Sequence, residues 1–365
     1  MTWTPDSLGE HFYQRILPLH DDEYGPNRAV LVTHDPARAG AQETRDEVGQ
    51  AEGEQTASFA LLAIHGWNDY FYHYEFAEQI TALGGQFYAL DLRKYGRAHM
   101  EGQMWGYVED MSTYDEEIHE ALDVIYEEHG YDVPIFLYGH STGGLTATLW
   151  ADRHPGALAG LILNSPWIEF QGATAVRMMS QPILDTLHRL SPTAVIPQTD
   201  NGYYQRLLTG YMSEEERRAW VAEEEAAGRD AVDPFFIEGG WNPDPRYRHV
   251  PTFPIRAGWL RAVVKGHERV ARGLDIKCPI LVLTSTKTYY SEDWDDNMRH
   301  ADTVLNVDQI WKRIPWLGKV ATLAKITDGI HDVLLSRESA RKQAYWHIGA
   351  FIRTWAGAPN VGQLD

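Results

Sequence analysis

Pro134-Ile135-Phe136-Leu137-Tyr138-Gly139-His140-Ser141-Thr142-Gly143-Gly144-Leu145 is the stretch on which the fold turns. A short apolar run of β character, 135–138, stops abruptly at small residues, and a run compatible with a helix follows. The junction carries the spacing G-x-S-x-G. In a strand-to-helix turn that spacing has a mechanical meaning. Glycines on either side let the backbone pass closely, and the serine occupies the sharp, strained bend between them. The bend lifts the Ser141 hydroxyl clear of the sheet, beside the N-terminus of the next helix. The backbone N–H of Thr142 then faces the place where an oxyanion would form. The same spacing also recurs by chance as an ordinary βα turn with a capping serine. The strand before it and the helix after it are what predict a nucleophile at Ser141.

The flanking segments keep the same rhythm. Residues 58–64 and 86–91 read as strands, with a helix over 74–83 between them that shows Phe76, Ile80 and Leu83 on one face. A helix follows over 113–129, opened by Thr113 as cap with Glu116 three residues on and closed by Gly130; its many carboxylates form a solvated outer face. Beyond the serine come a strand over 160–165 and, much later, strands over 279–285 and 321–327 and helices over 307–314 and 338–355. A first strand is expected at 29–34. Residues 1–27 carry no clear pattern, and the acid-rich stretch 35–55 reads as a polar loop, a hairpin connection. Strands alternating with amphipathic helices predict an α/β fold, a mostly parallel central sheet flanked by helices.

Over 166–273 the rhythm breaks. Helices and proline-rich irregular chain appear there without a buried strand; 213–225 reads as a charged helix anchored by Trp220 and Val221, and 255–272 as a further helix. The chain is therefore expected to divide into a first core part at 1–165, a large helical cap or lid at 166–273, and a second core part at 274–365. The cap is inserted after the strand that follows the nucleophile helix. It would lie over the carboxyl ends of the strands, where open α/β sheets hold their ligands.

A formal net charge of -20 argues against nucleic acid or an anionic membrane as partner. No apolar run approaches the roughly 18 residues of a membrane span, and no basic stretch leads into an apolar one near residue 1, so the expected address is cytoplasmic. The lone cysteine, Cys278, lies in an apolar run and reads as a small buried hydrophobe. Neither H-E-x-x-H nor a Cys/His pair at ligand spacing occurs, and no metal is expected.

A serine hydroxyl needs a neutral imidazole within reach, and that imidazole needs an acceptor on its other nitrogen. Of 16 histidines, His331 follows the last strand on a glycine-flanked loop, which suits a base; His65, His140 and His154 read as turn or packing residues. The acid is expected after the strand holding Leu281, where Thr288 stands instead, and Asn164 is not an acid either. The run Asp302-Thr303-Val304-Leu305 leading into a helix points to Asp302, displaced by an inserted segment; Asp293, Asp295, Asp296 and Asp308 are the alternatives. Asp308 also suits a cap or first-turn carboxylate, and Asp332 would project away from the base. The second oxyanion donor is expected from the main chain of Trp67, in His65-Gly66-Trp67.

Together His65-Gly66-Trp67-Asn68, the turn from Asp91 to Gly96, Gly139-His140-Ser141-Thr142-Gly143-Gly144 and Gly329-Ile330-His331-Asp332 resemble the α/β-hydrolase family. Within it they resemble the lysophospholipase and monoacylglycerol-lipase-like branch, which carries a helical cap. The resemblance covers about 58–165 and 275–355. It implies a cofactor-free serine hydrolase that works through an acyl-serine. Two departures stand out: the acid loop is longer than usual, and the insertion is larger than the branch commonly carries.

The expected function is cleavage of a small-molecule carboxylic ester with an apolar acyl group, as in a lipase or esterase. Aromatics in and near the insertion (Trp167, Phe170, Tyr203, Tyr204, Phe235, Phe236, Trp241, Trp259) could line an apolar pocket, although the lid's own core accounts for most of them. The alternative is an aminopeptidase or amidase of the same fold, with Glu214 to Glu216 or Glu223 to Glu225 gripping a substrate amine; such runs are more often a solvated helix face. A non-catalytic binding protein on a hydrolase scaffold is the third reading, and retention of Ser141 and His331 speaks against it.

Overall fold

In the computed structural model, which describes residues 2–38, 57–169, 181–210, 214–228 and 240–357, the chain builds one nine-stranded sheet. Its strands are β1 (Thr4–Pro5), β2 (Phe12–Asp22), β3 (Gly25–His34), β4 (Ala60–Ile64), β5 (Gln86–Asp91), β6 (Ile135–His140), β7 (Gly160–Asn164), β8 (Ile280–Ser285) and β9 (Ala321–Ile326). They lie in the order β1-β2-β3-β5-β4-β6-β7-β8-β9. The strands from β4 onward pair in parallel, whereas β1, β2 and β3 extend one edge antiparallel.

The described helices are α1 (Tyr74–Ala82), α2 (Asp115–His129), α3 (Thr142–Arg153), α4 (Gln181–Leu190), α5 (Tyr203–Thr209), α6 (Glu214–Ala226), α7 (Ala257–Ala271), α8 (Val307–Arg313) and α9 (Glu338–Trp355). Successive strand residues face opposite sides, so the sheet has two cores. Leu62, Leu137 and Leu161 join Ile118 of α2, Leu145 of α3 and Val263 of α7 on one side. Leu61, Phe136 and Ile162 join Phe76 and Ile80 of α1 and Ile348 and Ile352 of α9 on the other. Each such side chain contributes about 1.5–3 kcal/mol on burial. Because both faces are covered, the inner strands read as unbroken apolar runs. Among the described residues no helix is long and apolar enough to cross a membrane.

The N-terminal region departs from expectation. Strand β2 was not legible because only one of its faces is buried and Arg15, Pro18 and His20 interrupt it. The hairpin reading of 35–55 fails where it can be checked: β3 pairs antiparallel with β5, not with β4, so the chain between β3 and β4 is no hairpin connection. Residues 39–56 themselves, like Phe170, Phe235 and Phe236, lie outside the described residues.

Helix α2 also begins differently. A 3-10 turn, Met111–Tyr114, precedes it, and the side chain of Asp110, not Thr113, accepts the Ser112 N–H. Its carboxylates are not all solvated. Glu117 is fully buried and grips Arg93 through Nε and Nη2 at 3.0 and 2.6 Å. Between β7 and β8 the described residues hold α4 to α7 and no strand, only an isolated bridge from Val195 to Arg256.

Candidate active site

Ser141 sits between β6 and α3 with φ 52° and ψ -115°, a conformation a non-glycine residue adopts only when its surroundings force it. The glycines are what allow it. A Cβ on Gly139 would lie 2.5 Å from the Gly143 oxygen, one on Gly143 would run into the His65 carbonyl, and one on Gly144 would lie 2.7 Å from Pro166 Cβ. Each glycine is therefore set by a close approach of neighbouring atoms and not by an unusual φ. Thr142 opens α3, so its amide belongs to the first turn, which lacks intrahelical acceptors.

Three predicted residues come together in line. Ser141 Oγ lies 3.0 Å from His331 Nε2, and His331 Nδ1 lies 2.9 Å from Asp302 Oδ2. His331 follows β9 and is buried, as is Asp302. The other oxygen of Asp302 accepts the Val304 and Leu305 amides at 2.8 and 2.7 Å, which fixes the carboxylate's rotamer.

The longer acid loop has a simple explanation. Thr288 and Asp302 are bridge partners: the Tyr289 amide donates to the Asp302 carbonyl and the Asp302 amide to the Lys287 carbonyl, both at 3.0 Å. Residues 289–301 leave the end of β8 and return beside their point of departure. The other acids are engaged elsewhere or face solvent. Asp295 accepts the Asn297 amide and the Tyr289 hydroxyl, Asp296 faces Arg299, Asp308 stands in the first turn of α8 behind the Asn306 cap, and Asp293 is exposed.

The main chain at Gly66 and Trp67 lies against the serine, since a Cβ on Gly66 would come within 3.1 Å of Ser141 Cβ. His65 accepts the Leu92 amide on Nε2 and donates from Nδ1 to the Gly66 oxygen, which holds that loop. The Trp67 ring packs on Trp259 at 3.8 Å and also lines the cavity above Ser141.

The comparisons with known proteins point the same way. Residues 55–234 match the family described as serine aminopeptidase, S33. A monoglyceride lipase homolog from Monkeypox virus is 26% identical over 236 residues, 64% of this chain and 72% of that one. A phospholipase, YtpA, from Bacillus subtilis (strain 168) is 29% identical over 114 residues, 30% of this chain and 41% of that protein, so the match spans less than half of the Bacillus protein. Among solved structures, a soluble variant of monoglyceride lipase from Saccharomyces cerevisiae superposes with a TM-score of 0.59 at 14% identity, covering 93% of this chain and 95% of the other. The chain is an α/β-hydrolase.

Its similarities run to the lysophospholipase and monoacylglycerol-lipase-like branch. Its site contains residues that sequence reasoning missed. Asn164 ends β7 and ties two loops together. Its carbonyl accepts the Ser141 amide and His140 Nδ1, both at 3.1 Å, while its side chain reaches Asp332 Oδ1 at 2.6 Å and Val333 N at 3.3 Å. The second oxygen of Asp332, buried and without a hydrogen bond among the described residues, stands 3.8 Å from His73 Nε2 and from His140 Nε2. Burial alone would raise the Asp332 carboxyl; the two imidazoles and the bonds from Leu334 N and Asn164 more than offset this and hold it below the usual carboxylate range. Burial holds His140 down to about 4, so it is neutral at pH 7.

Residues from the segment between β7 and β8 reach the site in three places. Asn68, in the loop that follows β4, donates to the His249 carbonyl at 2.8 Å and accepts its amide at 3.1 Å. The Tyr204 ring meets His331 edge-on at 5.7 Å and its hydroxyl accepts the Asp332 amide at 3.2 Å. On the acid loop, Trp294 takes the Arg206 guanidinium at 3.9 Å on its ring, and Tyr203 donates to the Glu292 carbonyl. Of the aromatics expected to line a pocket, Tyr203 and Tyr204 do so, whereas Trp241 and Trp259 are buried in hydrophobic clusters and Trp167 packs partly buried beside Trp259. The signal for Asn68 and Asn164 was available in principle, as polar residues that close apolar strands or follow them. Their partners are distant in sequence, and no local pattern names them.

Proposed function

We propose that this α/β-hydrolase cleaves a small-molecule carboxylic ester through an acyl-serine intermediate, with Ser141 as nucleophile, His331 as base and Asp302 as its acid partner. The observation that carries the reading is the pair of contacts at 3.0 and 2.9 Å linking the hydroxyl, the imidazole and the carboxylate. His331 Nε2 takes the hydroxyl proton as Oγ attacks the ester carbonyl. Asp302 holds Nδ1–H and stabilises the imidazolium. The amides of Thr142 and Trp67 face the oxyanion, at the helix N-terminus and on the loop packed against Ser141. The imidazolium then protonates the departing alcohol, and His331 activates water to release the acid.

The cap reading of 166–273, between core parts 1–165 and 274–365, is part of the proposal. The contacts from Tyr204, Arg206 and His249 to the base, acid and oxyanion loops support it. A cytoplasmic address belongs to it as well, and a buried Cys278 thiol, pushed up to about 12 by burial, suits it.

An aminopeptidase of the same fold has less behind it. Glu216 is paired with Arg206 and Glu224 is buried against Arg337, and among the described side chains of the two runs none lines the cavity at Ser141. The test is labelling with a fluorophosphonate probe, with Ser141→Ala as control, beside turnover of nitrophenyl esters and aminoacyl anilides. Labelling confined to the wild type, with esters cleaved faster than anilides, is expected. Labelling of the variant would remove Ser141 from its role, and faster anilide turnover would favour the peptidase.

A further inference from the structure

The cavity over Ser141 and His331 has a volume of about 450 Å³, and its wall is more apolar than polar. Its apolar lining comes from two parts of the chain. Tyr290, Met298 and Val304 belong to the acid loop, beside Asp302 and His331. Trp67 and Val250 belong to the loop after β4 and to the segment before α7.

An ester poised for attack on its carbonyl has its directions fixed. The leaving oxygen must meet His331 Nε2, which lies 3.0 Å from Ser141 Oγ, to receive the proton. The carbonyl oxygen must meet the amides assigned to it above. The alcohol part therefore lies with His331 and the acid loop. The acyl part leaves on the other side, along the loop after β4, and the first side chain it meets there is Trp67.

That side chain is backed by protein. The Trp67 ring, half-buried, meets Trp259 at 3.8 Å, Phe253 at 4.6 Å and Tyr95 at 6.0 Å. All three are buried in the cluster that packs α7 against the sheet. A Cβ on Gly106 would come within 2.9 Å of the same ring, so the fit is tight there too. Trp67 Nε1 is buried and makes no hydrogen bond among the described residues, so packing holds the indole in place. Val250, beside it, is 57% exposed, and a chain deflected by the ring passes it into water.

The volume agrees with an early stop. At about 30 Å³ for each water-sized group, the cavity has room for on the order of fifteen non-hydrogen atoms, shared between acyl and alcohol parts. A butyryl ester of a small alcohol fits within that; a palmitoyl ester does not.

We infer that the Trp67 ring, braced by Trp259 and Phe253, closes the acyl side of the cavity and sets the substrate class as esters of short-chain acids. This rests on the serine-hydrolase reading and deepens it. Methylenes that reach an apolar wall raise kcat/KM by about fourfold each; beyond the ring that gain ends.

The test is kcat/KM on nitrophenyl acetate, butyrate, octanoate and decanoate, each below its solubility limit, beside methyl, butyl and hexyl acetate. In the wild type the rise is expected to end at butyrate, with decanoate no better. Trp67→Ala should raise the ratio of decanoate to butyrate by tenfold or more and leave the order of the three alkyl acetates unaltered, since their alcohols lie with His331. Trp67→Leu, a milder change should the alanine variant misfold, and Trp259→Leu, which lets the ring retreat, should move the same ratio in the same direction. General damage to the site would lower all esters together and leave the ratio where it was. Decanoate exceeding butyrate tenfold in the wild type, a ratio unmoved in folded variants, or a shift confined to the alkyl acetates would overturn the inference while leaving the serine mechanism standing. Failure of nitrophenyl acetate turnover and of fluorophosphonate labelling would overturn both.

Discussion

Asn164 Nδ2 donates to Asp332 Oδ1 over 2.6 Å while the Asn164 carbonyl accepts the Ser141 amide over 3.1 Å, so one residue spans from the turn that carries Ser141 to the loop that carries His331. A strut of this kind sets how far apart hydroxyl and imidazole sit. Asn164→Ala should lower kcat about 10–100-fold with little change in KM, because misplacing reacting groups by an ångström has costs of that size. Asp332→Asn preserves the shape but removes the charge beside His73 and His140, and the pH dependence of kcat/KM should move with it. A parallel loss in KM, or an unaltered pH profile in Asp332→Asn, would argue for a merely structural role.

Asp302→Asn should lower kcat by roughly four orders of magnitude, since an amide at this position favours the wrong imidazole tautomer. The same change at Asp295 or Asp308, whose side chains serve local turns, should leave ester turnover near that of the wild type. Stopped assays on the purified variants, with circular dichroism to show that each is folded, decide between them.

Gly143→Ala places a methyl group against the His65 carbonyl. Relief requires moving either the nucleophile turn or the oxyanion loop. A stability loss of about 1–3 kcal/mol is expected, in line with overpacking elsewhere, together with loss of fluorophosphonate labelling. Labelling at the wild-type rate would show that the loop has room to yield.

His140 and His267 are both held down to about 4 by burial, against an ordinary value of 6.5. Between those two values the unfolded chain binds more protons than the folded one, so stability rises with pH across that window and falls on acidification. Each group contributes on the order of 3 kcal/mol between pH 7 and pH 4. Thermal melts from pH 7 down to 4 should show Tm dropping throughout, and His267→Gln should flatten the slope. An unchanged slope in that variant would assign the acid sensitivity to other groups.

Asn68→Gly retains the freedom that φ 54° demands but deletes the two bonds to His249. If the oxyanion loop is steadied by those bonds, kcat/KM should fall by about tenfold, the cost of roughly 1.4 kcal/mol of lost transition-state stabilisation. Protection of the Trp67 and Asn68 amides from hydrogen exchange should fall with it.

Where side chains obey a local period, the sequence was readable. The parallel strands announce themselves because both faces of β4, β6 and β7 are buried, and the nucleophile turn because its glycines answer contacts within a few residues or with the adjoining strand. Strand β2 hid behind its half-exposed pattern, and α2 began later than its Thr113 suggested because Asp110 caps a separate 3-10 turn. Asp302 was reachable from the residues following it, whose amides its carboxylate binds. Residues such as Asn164 and Arg248 were not reachable, because what gives them meaning is a partner 40 to 180 positions away, and Tyr204 was legible as a pocket-lining ring but not as the partner of the Asp332 amide.

The side-by-side placement of Thr288 and Asp302 has an evolutionary corollary. Since the backbone closes a bridge at the root of the excursion, whatever hangs between those two positions can lengthen, shrink or change character without disturbing the carboxylate. Here that freedom has been spent on Trp294 and Glu292, which take hold of Arg206 and Tyr203. Among cousins of this chain, loop length at that point is therefore a poor ruler for locating the counterpart of Asp302, and a good place to look for differences in how the helices between β7 and β8 are fastened.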